Sequence, residues 1–365
     1  MEFSHTTLAQ RVHFGTGRAA ENLAEELAAR EMTRPMMIVS NRARTVGETA
    51  TAAVAPGVWW TDIAQHVPVT LVDRAVDAAS EAQVDGLVCI GGGSIIGLAK
   101  AVALRTGLSI IAVPTTYSGS EATNLWGMTE NGVKTTGVDQ SVLPVTVIYD
   151  AELSRGLPTD LTVASALNAL AHCVDSLWAP RADPINQVLA LAATRVLVGA
   201  IRGMTSDDSG LANRENALYG AYLAGVALAG AGAGLHHKIC HVLGGTFDMP
   251  HAQTHAVVLP HVLEFNAPSL PVELATDLAT ALGATEVNGN AAASAVTAMR
   301  DLYRAAAAPS NLADLGFPED GIELAVQRVL AAAPASNPSP VTAEGLTALL
   351  TAARTGSTPV ATAAP

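Results

Sequence analysis

The sequence is poor in charged residues, aromatic residues and cysteine, and these shortages exclude several classes of protein. Charged residues make up 15% of the 365 positions and hydrophobic residues 49%, a balance that excludes an intrinsically disordered chain. The 20 lysines and arginines are outnumbered by 33 acidic residues, which gives a net charge of −13. That charge excludes a general nucleic-acid binder, because such proteins need clustered basic residues. It remains compatible with a local cationic pocket for a small anionic substrate.

The three cysteines, Cys89, Cys173 and Cys240, lie far apart in apolar or helical stretches. An odd, sparse count argues against a disulfide framework and fits a reducing compartment. The N-terminus has no basic segment followed by an apolar run, so we expect no signal peptide. The apolar stretch 221–235 is too short and too rich in glycine and alanine to span a bilayer, and it favours close helix packing. We therefore expect a cytoplasmic protein without a membrane partner.

Residues 1–153 alternate between short apolar runs and helical patterns. Four β-branched runs, 35–40, 85–92, 108–114 and 145–150, have the near-continuous apolar character of parallel strands that are covered on both faces. Segments 69–82 and 94–107 have apolar residues at helical spacing. This alternation predicts an α/β, Rossmann-like domain with a mainly parallel sheet. Within 124–138, the Asn131-Gly132 pair predicts a β-hairpin extending over a cleft.

Strand-like runs nearly vanish after Asp150, and the sequence predicts an all-α domain. We place the boundary at residues 153 and 154, so that a nucleotide-binding domain (1–153) precedes a helical substrate domain (154–354). The small-residue, proline-containing tail 355–365 is predicted to be disordered. The cleft between two such domains is the natural place for a ligand.

A glycine-rich turn, Gly91-Gly92-Gly93-Ser94, follows one predicted strand and opens a helix. Glycines there let the backbone approach a pyrophosphate, whose negative charge the helix N-terminus favours. A tight turn without a ligand would have the same sequence. The hydroxyl-rich loop that contains Thr115, Thr116 and Ser118 follows the next strand, where open α/β sheets bind ligands. The two signals together predict a nucleotide site.

The ribose end of this site is predicted at 40–44, where strand 35–40 ends. An acidic residue there would bind the ribose 2′-hydroxyl and repel a 2′-phosphate, but the segment contains Asn41, Arg42 and Arg44 instead. We therefore expect both NADH and NADPH to be accepted. The alternative is that the two arginines only solvate a helix start.

Histidine is concentrated in one region, since five of the ten histidines fall within residues 236–255. His237 and His241 are spaced i and i+4 on one helical face, with Lys238 beside them, and His251 follows Pro250. Asn168 and His172 form a second such pair on an upstream helix. Facing pairs of this kind resemble a divalent-metal cage.

Metal occupancy is doubtful because Asn168 is neutral, so the set lacks an anion to offset the desolvation of a dication. The alternative is a metal-free site. There the histidines donate hydrogen bonds and protons, and Lys238 neutralises anionic groups of the substrate.

These motifs resemble the iron-containing alcohol dehydrogenases from about residue 10 to residue 350. The matching segments are GGGS, the PTTYSGSE loop, the ALNALAH helix and the H-x-x-x-H…PH pattern. The resemblance implies a Rossmann-like N-terminal domain, a helical C-terminal domain and a homodimer. The family's metal ligands fall on Asn168, His172, His237 and His251, and its histidine beside the nicotinamide falls on His241. It also implies cofactor contacts from Asn41, Lys134 and Leu153.

The segments RVHFGTG, LPVTVIYD and HHKICHVLGGTFDMPHAQTH resemble the maleylacetate reductase branch of that family. The implied reaction reduces the 2,3 double bond of maleylacetate, a small dicarboxylate oxo-acid, to 3-oxoadipate during the breakdown of aromatic compounds. His172, His237, His241, His251 and Lys238 are then the catalytic candidates. Two alternatives stay open: a metal-dependent alcohol or polyol dehydrogenase of the same fold, and a catalytically silent nucleotide- or metal-binding protein.

Overall fold

The computed structural model describes residues 2–51, 55–130, 133–206, 210–287 and 289–357, without the side chains of Arg42 and Ala50. The described residues form eight strands: β1 (Arg11–Phe14), β2 (Met36–Val39), β3 (Val58–Trp60), β4 (Leu87–Gly91), β5 (Ile110–Pro114), β6 (Leu125–Glu130), β7 (Val133–Val138) and β8 (Thr146–Tyr149). Four α-helices belong to the same half: α1 (Ala19–Ala29), α2 (Arg44–Ala50), α3 (Val69–Glu81) and α4 (Gly93–Thr106).

The remaining α-helices of the described chain follow β8. They are α5 (Thr159–Ser176), α6 (Pro184–Ser206), α7 (Leu211–Ala231), α8 (Leu235–Phe247), α9 (His251–Asn266), α10 (Val272–Ala281), α11 (Ala291–Ala305), α12 (Ile322–Ala332) and α13 (Ala343–Thr355). The predicted boundary at residues 153 and 154 falls in a short 3-10 helix (Ala151–Ser154) between β8 and α5.

Six strands form one parallel sheet in the order β1-β8-β5-β4-β2-β3. The central strands β2, β4, β5 and β8 are buried along their whole length. Alternate residues of β2, β4 and β5 enter two separate cores, one shared with α3 and α4 and the other with α1. The predicted parallel α/β layer is therefore confirmed, and its apolar runs are explained by helices on both faces.

The strands at the two edges of this sheet, β1 and β3, were not predicted, because polar residues interrupt β1 and β3 is only three residues long. β1 is held by a buried carboxylate, since Glu26 of α1 accepts hydrogen bonds from Arg11 and His13 of this strand, both at 3.0 Å. Arg30 and Thr146 donate to its other oxygen at 3.0 and 2.6 Å. Burial would raise the pKa of Glu26, but these donors outweigh it and lower the pKa to about 2. The edge strand is thus attached through its polar side chains.

The predicted hairpin is confirmed as β6 and β7, which pair antiparallel from Leu125 opposite Val138 to Glu130 opposite Val133. Its turn residues, Asn131 and Gly132, lie outside the described residues. Thr129 of β6 donates its backbone N–H to the carbonyl of Val67 at 3.1 Å, so the hairpin is also attached to the segment before α3.

The stretch 221–235 does not form one helix. α7 ends at Ala231, Gly232 adopts a left-handed φ of +85°, and α8 leaves at 99° to α7. The expected close helix packing is present, because Gly230 of α7 lies so near the Asn186 side chain of α6 that a Cβ there would collide with it. This bend brings the first turn of α8 against α5.

One described helix, α6, has the length and mean hydropathy needed to cross a membrane, and it packs against α5 and α7 in the apolar core of the helical half. The three cysteines are free and buried, as expected from their spacing. The predicted disordered tail begins on the last helical residue, Thr355, and its residues 358–365 lie outside the described chain.

Candidate active site

The glycine-rich turn joins β4 to α4 at the carboxyl edge of the sheet. Gly91 ends the strand, Gly92 is the N-cap of α4, and the helix begins at Gly93. The first N–H groups of a helix have no partner within it, so they point toward any anion bound here. A Cβ on Gly92 would lie 2.9 Å from Cγ2 of Thr116, and one on Gly93 would lie 3.5 Å from Cβ of Ser118. The fold thus brings the two predicted nucleotide signals together.

A buried lysine and a buried glutamate hold the loop that follows β5. Lys100 of α4 donates to the carbonyls of Ser120, Thr123 and Leu125 at 2.6, 2.8 and 2.9 Å. Burial lowers the pKa of Lys100 to about 7, opposed by the neighbouring Glu121 carboxylate. These hydrogen bonds offset part of the cost of burying an ammonium group. The loop is therefore held in place by a side chain of α4.

Glu121 is fully buried, and it accepts hydrogen bonds from Tyr149 at 2.8 Å and from Ser118 at 3.2 Å. Burial raises the pKa of its carboxyl group above the ordinary value. Ser118, a predicted cofactor residue, is thereby oriented by a side chain that sequence reasoning did not single out.

The other predicted cofactor residues are spread around this region. Asn41 is exposed in a short 3-10 helix after β2, and Leu153 packs against the core that α1 shares with the sheet. Arg44 pairs with Glu48 at 2.8 Å, and its guanidinium lies 5.0 Å from the ring centroid of Trp59. These contacts agree with the alternative interpretation of Arg44, in which its side chain only solvates the start of a helix.

Lys134 lies on β7 beside the helical half. Its Cβ would be 3.0 Å from a Cβ built on Gly245 of α8, so the hairpin and α8 are in contact here. Burial lowers the pKa of Lys134, an effect opposed by the nearby Cys240. No hydrogen-bond partner of its ammonium group occurs among the described residues. Lys134 is thus a cation that faces the histidine-bearing helix, a position that the sequence did not predict.

Three helices bring the predicted histidines together. α5 carries Asn168 and His172, α8 carries His237 and His241, and α9 begins with His251. Ring centroids of His237 lie 5.1 Å from His172 and 6.1 Å from His241. His251 is exposed, whereas Asn168, His172 and His237 are buried. The cluster therefore has one open side. Lys238, the adjacent predicted residue, is half-buried.

The loop after β5 also contacts this cluster. Gly119 adopts a left-handed φ of +70°, and a Cβ there would lie 3.1 Å from Nδ1 of His172. The Asn168 side-chain amide lies 3.5 Å from the carbonyl oxygen of Ser118. The same short loop thus touches the glycine-rich turn on one side and the histidines on the other.

Asp175 is a buried carboxylate of this cluster that sequence reasoning missed. Its Oδ2 accepts from Nδ1 of His237 at 2.7 Å and from the N–H of Gly234 at 2.7 Å. Burial acts to raise the pKa of Asp175, but these hydrogen bonds outweigh it, so the pKa is lowered. The available signal was spacing, since Asp175 follows His172 by three positions on one helix.

His236 and His255 form a second layer behind His237. Nε2 of His236 lies 2.9 Å from Nδ1 of His255, and the ring of His255 lies 4.3 Å from that of His251. Burial lowers the pKa of His236 to about 3, and it lowers the pKa of His255 well below the ordinary value. These two histidines are therefore neutral and fix one another's ring orientation.

Burial also lowers the pKa of His172 and of His241 well below the ordinary value. Lys134 is the largest charge contribution to the lowered pKa of His241. His66, from the segment before α3, has its pKa lowered by burial and then by Lys134, and its Nε2 lies 3.5 Å from Asp248. It sits over Gly244 of α8, a placement that no sequence pattern signalled.

A divalent metal site in a protein needs ligand atoms that converge on one point. Among the described residues, His236, Cys240 and His255 form a group of this kind. Their potential ligand atoms all lie within 4.8 Å of one another. In that group the two imidazoles are already hydrogen-bonded to each other. His172, His237 and His251 do not converge in this way, and Asn168 adds no charge. The residues at the family's ligand positions thus do not fit a divalent cation as they are arranged.

Comparison with known proteins gives matches along nearly the whole chain. The family model described as iron-containing alcohol dehydrogenase matches residues 9–151, and the C-terminal model of the same family matches residues 162–354. Maleylacetate reductase of Sphingobium indicum is 42% identical, covering 99% of each chain.

Solved structures agree with these matches. An iron-containing alcohol dehydrogenase from Corynebacterium glutamicum is 48% identical, with a TM-score of 0.92 and 98% of each chain covered. Maleylacetate reductase from Rhizobium sp. strain MTP-10005 is 38% identical, with a TM-score of 0.88, and covers 98% of this chain and 100% of its own.

Proposed function

The chain belongs to the iron-containing alcohol dehydrogenase family, and we propose that within it the protein acts as a maleylacetate reductase. It transfers hydride from a nicotinamide cofactor to the 2,3 double bond of maleylacetate and forms 3-oxoadipate. The observation that carries this proposal is the loop after β5. It contacts both Gly92, at the predicted pyrophosphate site, and His172, in the histidine cluster. A cofactor bound at the turn would therefore extend toward the cluster.

The reaction defines what the cluster has to supply. The double bond is conjugated to a ketone, so hydride adds to the carbon β to that ketone and negative charge develops on the ketone oxygen. The α carbon then takes a proton. An active site must stabilise the enolate oxygen and provide a general acid. Imidazoles at 172, 237, 241 and 251 can fill both roles, and His241 is the one we expect beside the nicotinamide.

The substrate also carries two carboxylates. Lys238 on α8 and Lys134 on the hairpin approach the cluster from different elements, and we propose that each neutralises one carboxylate. A simple alcohol substrate needs no such pair of cations. The two lysines therefore favour a dianionic oxo-acid over an alcohol.

We further propose that metal is dispensable, because Asn168 is neutral and the neighbouring histidines do not converge. Both NADH and NADPH are expected to support turnover, with NADH favoured because Arg44 is engaged by Glu48 and Trp59. A cytoplasmic homodimer and a domain boundary at residues 153 and 154 belong to the same proposal.

The test is a NADH-oxidation assay with maleylacetate, with product identified as 3-oxoadipate by mass spectrometry. Turnover of the diacid in the presence of chelator supports the proposal. Oxidation of simple alcohols that depends on added iron or zinc, without reduction of maleylacetate, would establish the alcohol dehydrogenase alternative. Nucleotide binding without turnover of either substrate class would establish the catalytically silent alternative.

A further inference from the structure

The buried carboxylate of Asp175 lies behind His237 and is fully enclosed. Its Oδ2 accepts two short hydrogen bonds, from Nδ1 of His237 and from the N–H of Gly234, both at 2.7 Å. Its Oδ1 lies 3.3 Å from the N–H of His236. All three donors belong to the first turn of α8 or the residue that caps it. A Cβ on Gly234 would collide with this carboxylate, so the contact depends on glycine there.

This arrangement determines which nitrogen of His237 carries a proton. An ionised carboxylate only accepts hydrogen bonds, so Nδ1 of His237 must be the protonated, donating nitrogen. Nε2 is then the nitrogen that is free to meet a ligand. Nε2 is buried and has no hydrogen-bond partner among the described residues. An unpaired buried polar atom is costly, by roughly 1–3 kcal/mol, so Nε2 is available to pair with water or with a group of a bound ligand.

We infer that Asp175 is a positioning residue of the histidine site, which orients His237 with Nδ1–H on the carboxylate and Nε2 toward the bound substrate. The inference rests on the proposed function for the identity of that substrate. Carboxylates that fix the tautomer of a functional histidine act through the histidine and do not touch the reacting atoms.

The geometry distinguishes two substitutions at this position. An Asp175→Asn side chain can place its amide oxygen at the Oδ2 position, where it still accepts from His237 and Gly234. Its NH₂ group would then take the Oδ1 position, where the carboxylate makes only the longer, 3.3 Å contact with the N–H of His236. An Asp175→Leu side chain has a similar size but no acceptor. The Asn variant should therefore retain the His237 tautomer, and the Leu variant should lose it.

Steady-state kinetics with maleylacetate and NADH then separate positioning from structural support. We expect Asp175→Leu to lower kcat by about 10²–10³-fold, the cost of one mispositioned catalytic donor, while the Kd for NADH stays unchanged. Asp175→Asn should remain within about tenfold of the wild-type kcat. An Asp175→Leu variant that folds and turns over at the wild-type rate would overturn the inference, and so would an Asn variant as impaired as the Leu variant.

Asp183 supplies a matched control. It is also buried, it accepts from the N–H groups of Ile185 and Asn186 at 2.8 and 2.9 Å, and a histidine, His5, contacts it at 2.9 Å. Asp183→Leu removes the same kinds of contact at the start of α6. It should lower the melting temperature without a comparable loss of kcat.

A second measurement needs no substrate and leaves Asp175 unchanged. In ¹⁵N-histidine-labelled wild-type protein, the resonances lost in a His237→Asn variant identify His237. We expect its Nδ1 to carry the proton. A neutral His237 protonated on Nε2 would overturn the inference, whether or not the protein reduces maleylacetate.

Discussion

Gly92 offers the most direct test of where the cofactor binds. Its φ of −86° and ψ of −171° are accessible to any residue, so Gly92→Val imposes no backbone strain. The new Cβ would lie 2.9 Å from Cγ2 of Thr116, a side chain that can rotate away. We therefore expect a folded variant, with an overpacking cost of about 1–3 kcal/mol. The valine methyl groups would instead occupy the space that the pyrophosphate needs.

The loss of affinity follows from the hydrogen bonds that are displaced. Two backbone N–H groups that bind a charged pyrophosphate contribute roughly 3–6 kcal/mol together, so the Kd for NADH should rise by about 10²–10⁴-fold. Fluorescence titration of NADH measures the Kd, and circular dichroism confirms folding. Gly199→Val, at an exposed position of α6 where a Cβ meets open space, is the control and should bind NADH normally. An unchanged Kd in folded Gly92→Val would refute the placement of the cofactor.

Four further predictions concern the cluster and the fold. His241→Ala and His251→Ala should each lower kcat by about 10²–10³-fold while NADH still binds; parent-like turnover in both would make the cluster structural. Lys134→Met and Lys238→Met should mainly raise the KM for maleylacetate, because a carboxylate contact is present in ground and transition states alike, and an equal loss with a monocarboxylate analogue would contradict this. Activity should survive exhaustive chelation, whereas complete loss restored by iron or zinc would show a metal requirement. The lowered pKa of Glu26, about 2 against 4.5 when unfolded, contributes about 3 kcal/mol of stability that is present above pH 4.5 and lost as the pH falls toward 2; denaturant titrations should show this loss in the wild type and not in Glu26→Gln.

The sequence predicted those parts of the fold whose signal is local. β4 and β5 could be predicted as strands because they are continuous apolar runs. Helices cover both faces of these strands, so every residue is buried. β1 has no such signature, because its polar side chains are satisfied by Glu26, a partner 15 positions away from Arg11. That pairing exists only after the chain has folded.

In the candidate site, too, the contacts within one helix could be predicted and those between distant segments could not. Helical spacing placed His237 with His241, and the structure brings His172, from the second predicted pair, beside His237. The spacing could not show that Asp175 accepts from His237, because the bend after α7 creates that contact. Nor could it show that His66 and Lys134 face α8, since their positions depend on how the hairpin and the segment before α3 reach the helical half.

The tight fit of Gly119 restricts how this protein can be recombined with its relatives. Gly119 lies between His172 and the carbonyl of Ala221, each 3.1 Å from its missing Cβ, so the loop and two helices must match as one unit. A chimaera that joins the first 153 residues of one relative to the helical half of another would separate these surfaces. Residues 115–125 should therefore be exchanged together with the helices, even though they precede the junction by some 30 positions.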